Sequence, residues 1–330
     1  MKRIFVAIVF ALFLVAGALA AWFYNFANNP LPLPSTPFEF TVKPGTTLNG
    51  LSRQLTGAGL LPEPRMFALL GRITQATAIQ AGTYRLDAPT PPLLLLQKLN
   101  DGDVVPVSVT FLEGATFADI RKQLEHTDKV KVTLKGLSDA EVLKRIGASE
   151  THPEGLLFPD TYRFAASTSD LELLKKSYQA MQKKLAAVWA MRDADLPYKN
   201  PYEVLIMASI IEKETGRAAE RPLIASVFIN RLLIPMRLQT DPTVIYGMGA
   251  RYDGNIRKRD LTTDTPYNTY TRDGLPPTPI ALPGWGSLRA AVKPAQSNKL
   301  YFVGKGDGTH YFSSSLQEHN RAVGKYQLGR

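Results

Sequence analysis

The chain begins with one long apolar segment. Residues 4–24 carry no charged side chain; Lys2 and Arg3 precede them, and the next charged residue is Glu39. A helix rises about 1.5 Å per residue, so about 20 residues cross a hydrocarbon core of roughly 30 Å, and this segment is long enough to span a membrane. Basic residues before the segment favour a cytoplasmic N-terminus, which places the rest of the chain outside the cytoplasm.

A cleaved signal peptide is the alternative interpretation of this segment. Residues 18–20 (Ala-Leu-Ala) fit a cleavage pattern, but signal peptides have apolar cores of only about 7–15 residues. Here the apolar stretch continues through the aromatic residues 22–24, which are typical of a membrane–water interface. We therefore expect a cytoplasmic tip and uncleaved anchor over residues 1–27, followed by an extended proline-rich spacer over residues 28–37.

Short alternating segments follow the spacer. Residues 38–42 alternate like a strand, two helical segments come next, and residues 81–86 indicate a returning strand. This strand–helix–helix–strand order, opened by FTVKPGTTLNGLSRQL, resembles a LysM module, a small fold that binds glycans containing N-acetylglucosamine. We assign residues 38–106 to this module. A small α+β module that only packs against its neighbour is the alternative.

Two further regions complete the predicted organisation. Residues 107–165 indicate a linking α/β subdomain, and residues 166–330 a C-terminal domain. Residues 170–191 carry apolar side chains at helical spacing, which indicates a long core helix. The predicted fold class is α+β, with a helix-rich C-terminal domain edged by a hairpin around residues 305–308.

A second helix of the C-terminal domain contains two neighbouring glutamates. Residues 200–203 (Asn-Pro-Tyr-Glu) are a strong helix start, and the segment VLIMASIIEKET is expected to stop at Gly216. At about 100° per residue, Glu214 lies roughly 50° and Glu212 roughly 110° from the centre of the apolar face. Glu214 is therefore the carboxylate predicted to point inward.

An inward-pointing glutamate at a helix end suits proton transfer. Burial and the negative end of the helix dipole both raise a carboxyl pKa, so we expect Glu214 to be protonated near neutral pH, as a general acid must be. On geometry alone, a buried glutamate paired with a basic residue such as Arg217 or Arg231 is an equal alternative.

Composition narrows the possible chemistry. The chain has no cysteine, which excludes disulfides, thiolate metal sites and cysteine nucleophiles. Its four histidines form no HxxxH or HxH pair, so we predict neither a metal site nor a cofactor. The net charge of +10 favours anionic surroundings, but the basic residues are scattered and no run is longer than residues 257–259. We therefore expect no nucleic-acid partner.

Several long strings in the C-terminal half carry a family resemblance. The glutamate helix contains MASIIEKETG, and the later strings are ASVFINRL, RLQTDPTVIYGMG, PYNTYTRDGLPPTPIALPG and LYFVGKGDGTHYF. In this order they resemble the endolytic murein transglycosylase family, the MltG or YceG-like proteins. The similarity is almost continuous over residues 200–320, LFPDTY extends it upstream, and it is thin over residues 115–150.

The resemblance implies a function and a location. Family members are single-span proteins of the cytoplasmic membrane that face the periplasm or the outer surface, and for this chain we expect an inner-membrane anchor with the catalytic domain in the periplasm. They cleave nascent peptidoglycan internally at the β-1,4 link from N-acetylmuramic acid to N-acetylglucosamine, leaving a 1,6-anhydro end. Because the muramyl 6-hydroxyl attacks, one group can act as acid and then as base, whereas hydrolases usually need two carboxylates. In the family this group is the second glutamate of EKET, here Glu214.

The other strings supply candidates for the glycan groove. Hydrogen-bonding side chains could hold the acetamido groups or the charge that develops at the anomeric carbon, and aromatic rings could stack on sugars. Helix capping is an equal alternative for Asp241, and core packing for Tyr246. The predicted groove residues are Asn230, Gln239, Asp241, Tyr246, Tyr267, Asn268, Thr269 and Tyr270, with Glu154 as the candidate for a second acidic residue.

The expected partners are peptidoglycan strands and the membrane. A cutter of nascent strands is also expected to sit beside a peptidoglycan synthase. A catalytically silent LysM-type scaffold that binds peptidoglycan is the alternative function. A true hydrolase is a further alternative, and its product is about 18 Da heavier than the anhydro form because water completes the reaction.

Overall fold

The computed structural model describes residues 2–166 and 168–329. Contacts within the chain divide it into two compact units. Unit 1 comprises Met1–Ser108 and Arg163–Thr168, and unit 2 comprises Val109–Tyr162 and Ser169–Arg330. Helices and small two-stranded sheets occur together, so the predicted α+β class is confirmed.

Unit 1 begins with the apolar helix α1 (Lys2–Asn28). Its residues Arg3–Asn28 have a mean hydropathy of 2.9 and are long and apolar enough to cross a membrane, a property that a signal sequence shares. The end of α1 is different, because Ala27 is buried in the hydrophobic core of unit 1. Leu31 of the proline-rich segment is buried in the same core. The last turn of α1 and part of the predicted spacer therefore pack as part of unit 1.

The strand–helix–helix–strand order predicted for unit 1 is present. The strands pair antiparallel, and alternate residues of the first strand are buried. The buried residues of both strands and of the three helices form one hydrophobic core. The elements are β1 (Phe38–Val42), α2 (Leu48–Gly57), α3 (Pro64–Ile73), β2 (Gly82–Leu86) and α4 (Pro92–Asp101).

The remaining elements are mostly helices of unit 2. Two short sheets accompany them, in which β3 (Val107–Thr110) pairs with β4 (Thr161–Phe164), and β5 (Tyr301–Gly304) pairs with β6 (His310–Ser313). The helices are α5 (Phe117–Glu125), α6 (Asp139–Ile146), α7 (Asp170–Ala190), α8 (Pro201–Glu214), α9 (Arg221–Leu233), α10 (Asp241–Met248), α11 (Lys258–Thr262), α12 (Trp285–Val292) and α13 (Leu316–Tyr326).

Helix α8 lies at the centre of unit 2. Asn200 caps it as predicted, because its side chain accepts a hydrogen bond from the backbone N–H of Glu203 at 3.1 Å. The helix ends at Glu214, two residues before the expected stop, because Thr215 takes an extended backbone. Residues 204–211 are all buried, and α7, α9, α10 and α12 pack around them. The helix is therefore buried on all sides, whereas the phase argument assumed one apolar face.

The C-terminal hairpin predicted around residues 305–308 is present. Gly304 of β5 pairs with His310 of β6. In the turn, Gly306 and Gly308 have φ angles of +86° and +78°, a region that glycine enters without steric cost. This tight turn places His310 at the start of β6.

Candidate active site

A cavity of about 460 Å³ opens in unit 2 where α8 ends. Small-molecule sites in proteins have volumes of about 300–1,000 Å³. Residues of α8, α9, the start of α10, the β5–β6 hairpin and α13 line it. Its polar lining includes Glu214, Arg231, Gln239, Asp241, Tyr270 and His310.

Glu214 is the last residue of α8 and is partly buried in the cavity wall. The Thr240 hydroxyl donates a hydrogen bond to Glu214 Oε1. Arg217, which the sequence offered as a basic partner, donates instead to backbone carbonyls of residues 307 and 308. Arg231 likewise donates to backbone carbonyls of residues 238 and 300. The carboxyl group thus has a hydroxyl, and no arginine, as its hydrogen-bond donor among the described residues.

The pKa of Glu214 is raised to about 7. Burial is the main cause, because it disfavours the charged form, and the negative charge of Asp241 adds to it. The Thr240 hydrogen bond and the electrostatic interactions with Arg231 and with the ring of His310, when that ring is protonated, act in the opposite direction. A large fraction of Glu214 is therefore protonated at neutral pH, as proton donation to a leaving group requires.

Thr240 is itself held rigidly. Its backbone N–H donates to Thr269 Oγ1 at 3.0 Å, and its carbonyl accepts from Thr243 Oγ1 at 2.8 Å. All three threonines are buried. Thr269, predicted from the sequence as a groove residue, therefore orients the residue that bonds to Glu214.

Gln239 and Asp241 flank Thr240 and both line the cavity. Gln239 has a φ of +49°, which is uncommon for a residue other than glycine. Asp241 begins α10, where the helix dipole favours a negative charge. Its Oδ1 accepts a hydrogen bond of 2.6 Å from the Tyr270 hydroxyl, which also lines the cavity. The structure thus brings Glu214 together with three of the predicted groove residues.

His310 contributes an imidazole ring to the same cavity. Its Nδ1 lies 2.7 Å from Glu220 Oε2, and its backbone N–H donates to Glu220 Oε1 at 3.0 Å. Glu220 lies immediately before α9, so this double contact joins the hairpin to the α8–α9 connection. Over residues 2–166 and 168–329, no group of three or more His, Asp or Glu side chains could hold a metal ion.

Two predicted groove residues direct their side chains at the backbone. The Asn230 amide donates to the carbonyls of Ser297 and Lys299, both at 2.9 Å. Asn268 is fully buried; its amide nitrogen donates to three carbonyls of residues 260–263, and its oxygen accepts from the backbone N–H of Tyr270 at 2.9 Å. These contacts organise the loops beside the cavity.

Tyr246 contacts both Glu154 and Tyr267, and the three residues form a cluster of their own. The Tyr246 hydroxyl donates to Glu154 Oε2 at 3.2 Å, and the two tyrosine rings meet edge to face with centroids 4.9 Å apart. Glu154 Oε1 accepts from the backbone N–H of Phe117 at 2.9 Å. Burial raises the pKa of Glu154 to about 7. Glu154 is therefore a second buried carboxyl with a raised pKa.

Glu212 differs from Glu214 in its partners. Its side chain is only 5% exposed, so it is also buried, although the helical phase placed it farther from the apolar face. Glu212 Oε1 pairs with Arg221 at 3.0 Å, and Oε2 accepts from the Gly284 backbone N–H at 2.8 Å. Glu212 and Arg221 thus form a structural ion pair, in which the arginine compensates the carboxylate charge. Glu214 instead faces the cavity.

Sequence reasoning missed several residues of the cavity and its supports. Thr240 stands in RLQTDPTVIYGMG and His310 in LYFVGKGDGTHYF, so both were inside strings that carried the resemblance. Histidine spacing was considered only for zinc binding, and no sequence signal links His310 to Glu220, which lies 90 residues away. The aromatic lining residues Tyr301 and Phe302 belong to the same hairpin.

Comparisons with known proteins extend these observations. The profile of the YceG-like family matches residues 40–325. A Bacillus subtilis (strain 168) protein named endolytic murein transglycosylase is 32% identical over 311 residues, covering 88% of this chain and 85% of the relative. A protein of the same name from Streptococcus pneumoniae serotype 2 is 27% identical over 356 residues, covering 97% of this chain and 64% of the relative.

A solved structure is also similar. The crystal structure of a YceG-like protein from Listeria monocytogenes matches with a TM-score of 0.52 and 29% identity, covering 87% of this chain and all of that one. The family profile spans most of the chain, and the Bacillus relative is similar over most of both lengths. The chain therefore belongs to the YceG-like family.

Proposed function

We propose that this protein is a membrane-anchored peptidoglycan lytic transglycosylase that cleaves glycan strands internally. The single observation that carries the proposal is the placement of Glu214, a partly buried carboxyl with a pKa of about 7 in the wall of the 460 Å³ cavity. The name of the Bacillus and Streptococcus relatives, endolytic murein transglycosylase, supports the same reaction class.

The proposed reaction breaks the β-1,4 link from N-acetylmuramic acid to N-acetylglucosamine. Glu214 gives its proton to the glycosidic oxygen, and the bond to the anomeric carbon breaks with its electron pair on that oxygen. The muramyl 6-hydroxyl then bonds to the anomeric carbon and loses its proton, which restores the protonated Glu214. The products are a strand with a free 4-hydroxyl and a strand with a 1,6-anhydro end.

The cavity offers suitable groups for the rest of this reaction. Asp241 lines the same cavity as Glu214; its negative charge adds to the raised pKa of Glu214 and would stabilise the positive charge that develops at the anomeric carbon. Gln239 and Tyr270 line the same cavity, and they are proposed to hydrogen-bond to the sugars or stack on them. Asn230, Asn268 and Thr269 support the walls through their contacts with the backbone and with Thr240. The cluster of Glu154, Tyr246 and Tyr267 does not line this cavity, and we propose it as an extension of the groove.

Unit 1 is proposed to bind the same polymer through its LysM-like module. A cavity of about 480 Å³ lies between the loop that follows β1 and the segment that follows α3. Its lining includes residues 45–49, Arg72 and residues 77–79. Binding of purified glycan strands should weaken when Asn49→Ala and Thr77→Ala are combined, whereas the exposed Arg53→Ala variant, outside this cavity, should bind like the wild type.

A water-using hydrolase is the second candidate, and Asp241 is the observation that favours it. Hydrolases pair an acid with a second carboxylate, and Asp241 lines the same cavity as Glu214. The need of hydrolases for two carboxylates therefore does not separate the two reactions. The mass of the product does separate them, because hydrolysis adds one water, about 18 Da.

The decisive experiment uses the full-length chain in detergent, because the end of α1 packs with unit 1. Purified glycan strands are digested, and the fragments are analysed by mass spectrometry. Anhydro-ended fragments from the wild type and none from Glu214→Gln support the proposal. Fragments carrying an added water establish the hydrolase, and anhydro fragments from Glu214→Gln contradict the role of Glu214.

The location is proposed on the same basis. Helix α1 is assigned as a single inner-membrane span with a cytoplasmic N-terminus, which places the cavity in the periplasm next to newly made strands and their synthases. Protease added to intact spheroplasts should digest the chain after α1. Protection of the whole chain would contradict this orientation.

A further inference from the structure

His310 is a cavity residue whose ring is held by several contacts. The Glu220 carboxylate accepts from the backbone N–H of His310 and lies 2.7 Å from its ring nitrogen Nδ1, so one residue holds both the backbone and the ring. The ring also meets Phe302 edge to face with centroids 5.4 Å apart, and Phe312 at 6.2 Å. Its side chain is only 16% exposed, and the residue lines the cavity. A ring held on these sides is pre-organised for contact with a ligand.

The turn that carries His310 is anchored to the same helix connection. The Arg217 side chain donates to the carbonyls of Asp307 at 2.8 Å and Gly308 at 2.7 Å. Arg217 follows Glu214 by three residues along the chain. The position of the imidazole relative to the carboxyl group of Glu214 is therefore set by contacts between the hairpin and the end of α8.

The contact with Glu220 also determines the chemistry of the ring. A carboxylate accepts hydrogen bonds, so in the neutral imidazole Nδ1 carries the proton and donates it to Glu220. The other nitrogen, Nε2, then has a free lone pair and is a hydrogen-bond acceptor and a base. Glu220 further stabilises the ring once Nε2 is protonated, because it places a negative charge against the imidazolium.

The other charged groups around the cavity do not offer this combination. Asp241 already accepts a hydrogen bond from Tyr270. Arg231 is a donor only and bonds to backbone carbonyls. His319 stacks on Tyr301 at 5.2 Å, and its Nδ1 has no hydrogen-bond partner among the described residues. His310 is the cavity histidine whose ring is oriented by a carboxylate.

We propose that Nε2 of His310 accepts the proton of the attacking muramyl 6-hydroxyl and directs that hydroxyl onto the anomeric carbon in preference to water. The inference rests on the proposed transglycosylase function and makes His310 a second catalytic residue. Glu214 remains the acid. His310 takes the proton of the 6-hydroxyl in place of Glu214 and then passes it on to the Glu214 carboxylate.

The atoms and charges balance over the cycle. Glu214 gives its proton to the leaving glycosidic oxygen, which takes the electron pair of the broken bond. The 6-oxygen forms the new bond to the anomeric carbon, and its proton passes to His310 Nε2. The imidazolium then returns this proton to the Glu214 carboxylate across the cavity, so both residues end the cycle in their starting states.

Three variants of the full-length chain test the proposal by rate and by product. In His310→Ala, kcat should fall about a hundredfold or more, the range expected for loss of a general base, while KM stays within about twofold. Water should also compete with the 6-hydroxyl, so fragments about 18 Da heavier should appear beside the anhydro product. In His310→Gln, the amide oxygen accepts the hydrogen bond but takes no proton; the rate should stay low and the product should return to the anhydro form. Glu220→Gln should lower kcat with less effect on the product.

The control is His126→Gln. His126 is an exposed histidine of unit 2, and its ring nitrogen Nδ1 lies 2.7 Å from the carbonyl oxygen of Lys122. This variant should match the wild type in rate and product. Thermal unfolding of each variant checks folding. If His310→Ala is unfolded, the test rests on kcat of His310→Gln and Glu220→Gln, and wild-type kcat with wild-type KM in His310→Gln overturns the inference. Wild-type rate in His310→Ala, or a lowered rate with an unchanged anhydro fraction, overturns the inference. A wild-type product that already contains water refutes the proposed function instead, so the two failures are distinguishable.

Discussion

The hydrogen bond from Thr240 to Glu214 gives the most direct test of how the cavity sets proton transfer. Thr240→Val removes the hydroxyl and keeps the shape of the side chain. The backbone contacts of Thr240 with Thr269 and Thr243 do not involve the hydroxyl, so they remain. The substitution therefore changes the group that stabilises the charged form of Glu214 with little other disturbance.

The expected magnitude follows from the strength of that bond. A hydrogen bond to a charged group contributes about 1.5–3 kcal/mol, and one pKa unit corresponds to about 1.4 kcal/mol. Loss of the Thr240 bond should therefore raise the pKa of Glu214 by about one to two units above its present value of about 7. Burial remains, and it is the larger cause of the shift.

The sign of the effect on activity is determined by the role of Glu214. The protonated form is the active one, so wild-type activity should fall as the pH rises through about 7. In Thr240→Val the carboxyl stays protonated to higher pH, and the alkaline limb of the profile should move upward by about one to two units. The criterion is the pH of the alkaline limb and not the maximal rate, because a Glu214 carboxyl that is no longer held by Thr240 is also expected to lower kcat.

The assay measures initial rates of anhydro-end formation by the full-length chain from pH 5 to pH 9, with Thr240→Ser as the matched control. Serine keeps the hydroxyl, so its alkaline limb should coincide with that of the wild type. An alkaline limb that stays in place or moves to lower pH in Thr240→Val refutes the reasoning, because the carboxyl would then not depend on this bond.

Three further predictions concern stability and support. The pKa of Glu214 is raised on folding, so its burial lowers the free energy of unfolding as the pH rises from about 4.5 to about 7. Glu214→Gln should therefore abolish activity but raise the free energy of unfolding at pH 8 by up to about 3 kcal/mol, as measured by urea titration. Glu154→Gln should show the same sign of stability change while kcat is retained, and a large loss of kcat would place Glu154 in the reaction itself. Asn230→Ala should lower the free energy of unfolding by about 1–3 kcal/mol because two backbone carbonyls lose their donor, and an unchanged stability with a raised KM would instead indicate sugar contact.

The features that the sequence predicted well depend on neighbouring residues. The apolar length of α1, the cap at Asn200, and the glycines of the hairpin turn all act within a few positions of the chain. Local rules of helix capping and turn conformation therefore sufficed for them. The strand–helix–helix–strand order of unit 1 followed from the alternation of short segments in the same way.

The distinction between Glu212 and Glu214 shows where local rules stop. Helical phase separates the two carboxylates only if the helix has one buried face, and α8 is surrounded by other helices. Both glutamates are therefore at least partly buried. Their difference lies in their partners: Arg221 on the next helix compensates Glu212, while Glu214 meets the hydroxyl of Thr240.

By itself the sequence determined that an apolar helix precedes a mixed chain, and that a capped helix ends in a pair of glutamates. The tertiary structure alone decided which glutamate faces a cavity and which residues share that cavity with it. Thr240 and His310 reach the end of α8 from 26 and 96 positions farther along the chain. Desolvation and charge act through space, so the pKa of a carboxyl depends on groups that the order of residues does not bring together.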